Sequence, residues 1–346
     1  MLRPSLASDN WAGAHPAVLE ALAAANAGPA PAYGDDGWTR ALDRWIEAEF
    51  GSGVSSFPVF TGTAANVIGL LALARPFQAV ICSDVAHLAV DECGAPERIA
   101  GVKIITVGHE DGRLRPETVA AAIKGLGVVH HSQPAVLSIT QPTELGTVYE
   151  PEALRVLCQL AHDRGLRVHL DGARLANAAA ALGVSLRAIS RDVGVDVLSY
   201  GATKNGALAA EVVVVFDGDM AGELGFVRKQ TMQLASKGRF LAAQLLALAE
   251  GERWRENAAH ANAMAARLGA GLAKRGEVTI TRPIEANAVF ATFPDAVAEG
   301  LLEGTDFYIW DADTSEVRLM TSWATSVAEV DVFLALVAGA LDRYAA

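Results

Sequence analysis

Lys204 stands in the stretch VLSYGATKNG (197–206), just past an apolar run, and Asp171 follows a second such run, RVHL (167–170), in the sequence DGAR (171–174). A lysine amine can hold an aldehyde as a Schiff base, and a carboxylate can keep a pyridine nitrogen protonated. A lysine after one strand and an aspartate after another therefore point to pyridoxal phosphate (PLP). An aspartate at the end of an apolar strand is partly buried and needs a cationic partner, which a pyridinium N–H supplies. Arg174, three residues on, can present a planar fork to a substrate carboxylate. The alternative is an internal Asp171–Arg174 pair that caps a helix.

Three further places can do chemistry. In FTGTAAN (60–66) a glycine turn precedes a threonine and good helix formers. Such a turn exposes a helix N-terminus whose free N–H groups and dipole suit a phosphate, with Gly62 and Thr63 nearest. A capped helix start without a ligand has the same pattern. His87, in DVAHLAVDECG (84–94), can stack on a flat pyridine face or meet a substrate hydroxyl, and it reads equally as an ordinary surface or core histidine. Asp91 and Glu92 are either its functional neighbours or a solvated helix start. His130 and His131 lack a third ligand at a recognised spacing, so no metal site is expected. The H-x-D of His169 and Asp171 is too common to assign.

These residues need a scaffold. Apolar runs at 57–60, 79–82, 103–107, 135–139, 166–170, 196–200 and 211–216 predict seven strands. Helical patterns at 63–74, 116–126, 151–164 and 173–182 lie between most of them. The alternation predicts an α/β fold with a mostly parallel seven-stranded sheet covered on both faces. Ligands of such sheets bind beyond the carboxyl ends of the strands, where Gly62, Thr63, His87, Asp171 and Lys204 all fall. Beyond about residue 245 the pattern changes to a helical stretch at 240–272, short strands at 278–281, 288–293, 307–309 and 317–320, and a closing helix at 327–343. We expect an N-terminal segment (1–14), a large cofactor-binding domain (15–245) and a small α+β C-terminal domain (246–346).

Composition narrows the class. Of 346 residues, 51% are apolar and 20% charged, a globular balance. A net charge of -12, from 28 basic and 40 acidic residues, argues against nucleic acid or an anionic membrane as partner. Three cysteines without C-x-x-C spacing, and an N-terminus without an apolar signal core, lead us to expect a soluble, cytoplasmic protein. Neither G-x-G-x-x-G nor G-x-x-x-x-G-K-[ST] occurs, which disfavours a nucleotide-binding or other non-catalytic α/β binding protein.

In order and company these residues resemble the threonine aldolase family of PLP enzymes, within the aspartate-aminotransferase-like fold type I group. The shared segments run through most of the chain: SDN (8–10), YGDD (33–36), TGTAAN (61–66), Ala86-His87 with Glu92, QPTELG (141–146), LDGAR (170–174), Thr203-Lys204, EANAVF (285–290) and VRLM (317–320). The low-specificity L-threonine aldolase and phenylserine aldolase branch is the most similar. The resemblance implies that Lys204 carries the cofactor, Asp171 pairs with its pyridine nitrogen, His87 stacks on its ring, and Gly62 and Thr63 hold its phosphate. It further implies that Arg174, Arg318 and Ser8 hold the amino-acid carboxylate. Tyr33 and a basic residue, Lys237 or Arg239, would reach across a subunit interface in a homodimer or homotetramer. The implied reaction cleaves a β-hydroxy-α-amino acid to glycine and an aldehyde, with His87, or water held by His87 and Glu92, as the base. Many family members carry a histidine in the loop that here reads TQPTE (140–144), and this chain has none there. Aminotransfer or β-elimination on the same cofactor are the competing reactions.

Overall fold

The computed structural model describes residues 3–344. Its centre is a sheet of seven strands: β1 (Ser55–Val59), β2 (Gln78–Ser83), β3 (Lys103–Val107), β4 (Gln133–Thr140), β5 (Arg167–Gly172), β6 (Val197–Gly201) and β7 (Glu211–Val215). Their spatial order is β1-β7-β6-β5-β4-β2-β3. Neighbours pair in parallel from β6 to β3, while β7 runs antiparallel to both β1 and β6. Six strands therefore point one way and only β7 is reversed. Their carboxyl ends share one edge, and at that edge β7 begins rather than ends.

The composition of β7, Glu211 followed by four valines, follows from burial on both faces. Successive side chains point to opposite sides of the sheet. Val212 and Val214 join the larger core, whereas Val213 and Val215 pack with Val59, Ala65 and Ile68 on the other side. That second layer includes α3 (Gly62–Leu73), which leads directly from β1. The larger core takes in α1 (Pro16–Ala25) and α2 (Gly37–Phe50), two helices that precede the first strand.

Three helices depart from the sequence reading. The pattern at 116–126 forms α4 (Pro116–Ala122) and stops there; the glycines that follow, Gly125 and Gly127, lie at φ 74° and 76°. Such positive angles interrupt a right-handed helix. After α5 (Pro151–Asp163), α6 spans Leu175–Leu182, not 173–182, because Arg174 keeps a non-helical backbone (φ -131°, ψ 28°) at its start. Next comes α7 (Leu224–Gln230). The stretch 240–272 is two helices, α8 (Arg239–Ala249) and α9 (Arg253–Leu272), separated where Gly251 and Glu252 adopt φ 62° and 56°.

A smaller antiparallel sheet, in the order β8-β9-β11-β10, contains β8 (Thr279–Ile280), β9 (Ala288–Thr292), β10 (Tyr308–Asp311) and β11 (Glu316–Met320). With α10 (Asp295–Leu302) and α11 (Val327–Tyr344) it surrounds a second core. Helix α9 enters both cores, with Trp254 and Ala258 in the first and Met264, Leu268 and Leu272 in the second. The N-terminal segment is stitched to the small sheet: the Leu6 amide donates to the Asp306 carbonyl, and the Met320 amide to the Leu6 carbonyl. Three residues later Asp9 lies at the edge of the large sheet. No described helix is long and apolar enough to cross a membrane.

Candidate active site

Gly62, His87, Glu92, Asp171, Arg174 and Lys204, all singled out from sequence, line one small cavity. They arrive there because β1, β2, β5 and β6 end on the same edge.

Lys204 sits in the short turn Thr203–Asn205 after β6. Asn205 anchors the turn, donating to the Trp254 carbonyl at 2.8 Å and receiving Asn257 Nδ2 on its own carbonyl at 2.9 Å. A Cβ on Gly201 would lie 2.5 Å from the Ala173 carbonyl oxygen and 2.6 Å from its Cα. Only glycine lets the Asp171 loop cross this closely over the approach to Lys204. Burial first, and the Arg174 guanidinium second, push the Lys204 amine below its ordinary value. A larger neutral fraction is what a nucleophilic amine needs. The reversed β7 places Glu211 at the same edge, where it accepts the Ala202 amide at 2.7 Å and burial raises its carboxyl to about 7.

Asn66, one turn along α3 from Gly62, ties the acidic groups together. Its Nδ2 donates to Glu92 Oε1 and to Asp171 Oδ2, each at 2.8 Å. Glu92 Oε1 also meets His87 Nδ1 at 3.0 Å, and Asp171 Oδ1 accepts the Ala173 amide at 3.0 Å. The bond to Glu92 raises the His87 pKa, against the opposing effect of burial. Thr140, the last residue of β4, and Glu144, in the loop that follows, complete this wall. Asn66 Oδ1, Glu92 Oε2 and Glu144 Oε2 are shielded from solvent and have no hydrogen-bond partner. Unsatisfied buried polar atoms are rare in native proteins, and clustered around a cavity they mark it as a place for a polar ligand.

Beneath the wall, buried His169 bridges Ser138 Oγ and Ser199 Oγ, each at 2.9 Å. Burial lowers its pKa to about 4, so the imidazole is neutral at physiological pH.

Arg174 is held by Asp9, not by Asp171. Its Nε and Nη2 donate to Asp9 Oδ2 and Oδ1 at 2.6 and 2.9 Å, and Asn287 Nδ2 reaches the same Oδ2 at 3.1 Å. Arg318, on β11, places its guanidinium 4.8 Å from the Trp310 ring and 5.5 Å from the Tyr308 ring, and its Nε has no partner. Burial, and then the charge of Arg174, lower the Arg318 pKa. Only Arg174 is paired with the Asp9 carboxylate, and Arg318 feels its charge without contact. Ser8, next to Asp9, accepts the Asn10 amide at 3.2 Å.

Other expected residues lie elsewhere in this chain. Thr61, not Thr63, caps α3 through its Oγ1 and the Ala64 amide, leaving Thr63 half-buried in the first turn. Tyr33, 52% exposed, lines a separate pocket with Gly34, Arg228 and Gly238. Lys237 is exposed nearby, and Arg239 rests its guanidinium 5.1 Å from the Phe240 ring. Asn66 and Asp9 lay inside the quoted sequence segments without a role. The periodic signal for Asn66 was its place four residues after Gly62; nothing local marks Asp9 as the partner of a residue 165 positions away.

Residues 5–296 match the family model described as beta-eliminating lyase. The low specificity L-threonine aldolase of Pseudomonas aeruginosa is 39% identical over 326 residues, covering 94% of each chain. The Escherichia coli K12 protein of the same name is 31% identical over 187 residues, 54% of this chain and 55% of that one. Among solved structures, Leishmania major threonine aldolase superposes with a TM-score of 0.92 at 29% identity, covering 97% of this chain and 99% of the other. Thermus thermophilus aspartate aminotransferase matches at a TM-score of 0.70 and 22% identity over 95% and 93% of the two chains, a likeness of fold alone.

Proposed function

The chain belongs to the beta-eliminating lyase family, in its threonine aldolase branch, and from that premise we propose that it cleaves β-hydroxy-α-amino acids to glycine and an aldehyde, with PLP as cofactor. L-Threonine and L-allo-threonine are the expected substrates, and phenylserine a further one. The observation that carries the reading is the pairing of the Lys204 amine with the Asp171 carboxylate across one cavity, in a chain 39% identical to a threonine aldolase.

The residues present fit this cofactor. Lys204 offers a depressed-pKa amine for the aldehyde, and Asp171 keeps lone pairs available beyond its bonds to Asn66 and Ala173. Gly62 opens the N-terminus of a twelve-residue helix at the cavity wall, where a phosphate is favoured. When bound, PLP supplies an electron sink for the pair released from the Cα–Cβ bond. Everything else falls to the protein. Asp171, positioned by Asn66, holds a proton on the pyridine nitrogen. His87, oriented by Glu92, forms the wall against which a flat ring can rest. Arg174, held in plane by Asp9, and Arg318, whose Nε is unpartnered, provide the positive charge for the substrate carboxylate. Fixing that carboxylate would set which bond at Cα is aligned for cleavage.

The active unit is an oligomer with shared sites in this reading. Support comes from Tyr33, whose amide donates to the Ser236 carbonyl at 2.9 Å, so that Tyr33 and Lys237 lie side by side, away from their own chain's Lys204. Phe60, Phe226 and Met232 expose apolar surface, and the Phe60 amide donates to Gln233 Oε1. The free thiols Cys82, Cys93 and Cys158 support a reducing, cytoplasmic compartment.

The test is aldehyde release from both enantiomers of threonine, allo-threonine and phenylserine, without a keto-acid acceptor. Glycine and aldehyde in equal amounts are expected. Products formed only with a keto acid, or ammonia and a keto acid in place of glycine, would replace the aldolase reading by aminotransfer or β-elimination. Borohydride should fix the cofactor to Lys204; no adduct, or wild-type turnover by Lys204→Ala, would refute its role.

A further inference from the structure

The aldolase reading leaves open which group takes the proton from the substrate's β-hydroxyl. We propose that it is Glu144, acting through Oε2. This inference rests on the aldolase reading and deepens it.

Two carboxylates of this cavity, Glu92 and Glu144, each keep one shielded oxygen without a partner, and Glu144 is the one whose carboxyl burial raises toward neutrality. Glu144 Oε1 is already occupied, accepting the His87 backbone amide at 2.8 Å and Thr140 Oγ1 at 2.9 Å. Oε2 is shielded from solvent and has no partner, while the residue lines the same cavity as Lys204. One oxygen is therefore fixed by two donors and the other is left for a donor that arrives with the ligand. The loop is rigid: the Gln141 amide donates to the Asp171 carbonyl at 2.9 Å, and the Gln141 side chain exchanges hydrogen bonds with the Tyr149 backbone at 2.8 and 3.0 Å. A base must be held to fractions of an ångström, and these bonds tie down the loop that carries Glu144.

The surroundings also separate Glu144 from His87. His87 Nδ1 is taken by Glu92, which holds the ring in place as a wall of the cavity, whereas Glu144 Oε2 is left without a partner. Glu144 is faced by His87 and Glu92 after β2, by Asp171 near the end of β5 and Arg174 just beyond it, by Lys204 after β6, and by Cys82 and Tyr149. Burial, reinforced by the Asp171 charge, raises its carboxyl to about 7 despite the His87 and Thr140 bonds. A general base works best with a pKa near the working pH.

The step balances without a further reagent. The β-oxygen gives its proton to Glu144 Oε2, its electron pair forms the second bond of the aldehyde carbonyl, and the Cα–Cβ pair stays with Cα. A proton taken up at Cα then completes glycine.

The test is Glu144→Gln in the holoenzyme. Aldehyde release should fall by about 10²–10⁴-fold in kcat, the usual worth of a positioned general base. The cofactor absorbance and the exchange of glycine α-protons with deuterated solvent should persist, since neither needs a β-hydroxyl. Difference infrared spectra of protein with and without cofactor should show a protonated carboxyl titrating near neutrality, absent from the variant. Thr140→Val removes a bond that favours the charged form, so the acid limb of the kcat profile should move to higher pH. Near-normal aldehyde release and an unchanged pH profile in Glu144→Gln would overturn the assignment. So would equal loss of α-proton exchange and aldehyde release with cofactor bound, which would mean a structural role. If the wild type exchanges glycine protons yet releases no aldehyde from any β-hydroxy amino acid, the aldolase reading itself fails, and this inference with it.

Discussion

Asp9 is the perturbation with the largest expected effect outside Lys204 and Asp171. Its side chain is 1% exposed and that of Arg174 is 19% exposed, and two charge-assisted hydrogen bonds of 2.6 and 2.9 Å join them. Asp9→Asn keeps the shape but removes the charge, and its single carbonyl oxygen replaces two carboxylate oxygens. Breaking a buried pair costs about 3–5 kcal/mol because the surviving charge is left uncompensated. The remaining exposure of Arg174 and the retained acceptor place the loss at the lower end, about 3 kcal/mol. Arg318 already repels Arg174, and without the Asp9 charge that repulsion is no longer offset. Urea unfolding of wild type, Asp9→Asn, Arg174→Gln and the double variant forms a cycle. The double variant should be less destabilised than the sum of the singles by about 1.5 kcal/mol or more. Additive effects, or a loss below about 0.5 kcal/mol in Asp9→Asn, the level of an unremarkable surface change, would refute the reasoning. The pH dependence has a definite sign. Burial alone would raise the Asp9 carboxyl, but the charge and hydrogen bonds of Arg174 bring it below its ordinary value. Its stabilisation is therefore complete above the unfolded value of about 3.9 and is lost as pH falls through the lower folded value.

Other outcomes follow from the same geometry. His169 has a folded pKa of about 4, below the unfolded value near 6.5, so its contribution is present above the latter and declines as pH falls between them. Unfolding free energy should drop by about 2 kcal/mol between pH 7 and pH 5, a slope that His169→Gln should flatten. Gly201→Ala must push a methyl group into the Ala173 backbone, and should cost about 1–3 kcal/mol in urea unfolding with weaker cofactor binding; unchanged stability would show that the two loops are not tightly apposed. If Tyr33 serves a partner's site, mixing inactive Lys204→Ala with a Tyr33→Ala variant of low activity should generate hybrids with one intact site. Recovery of about a quarter of wild-type activity is expected for randomly mixed dimers, and none if each site is built from one chain.

Much of the site was legible because its residues follow strands. The seven apolar runs each became one strand of the large sheet, and a sheet with a common carboxyl edge gathers whatever its loops carry. Lys204, Asp171, His87 and Gly62 needed no knowledge of distant contacts to be grouped. Glu92 had two readings in sequence, a solvated helix start or a neighbour of His87. Burial and the bonds to His87 and Asn66 decide for the second.

Local pattern was sufficient wherever burial has a period: the valines of β7 alternate between two cores, and a run of such residues can do little else. It was insufficient wherever a polar group's partner lies far away in the chain. The DGAR sequence made Asp171 and Arg174 look like neighbours, yet a two-residue turn, Ala173 and Arg174, aims Arg174 toward Asp9, brought in by an N-terminal segment stitched to the small sheet. Glu144 and Glu211 are plain glutamates in sequence, and only their enclosure raises both to about 7. Residue types and their order along the chain determined the strands, the common edge and the chemistry that can gather there. The tertiary structure decided which charges meet and which stay unpaired, because desolvation and hydrogen bonding depend on everything that surrounds a group, not on its neighbours in sequence.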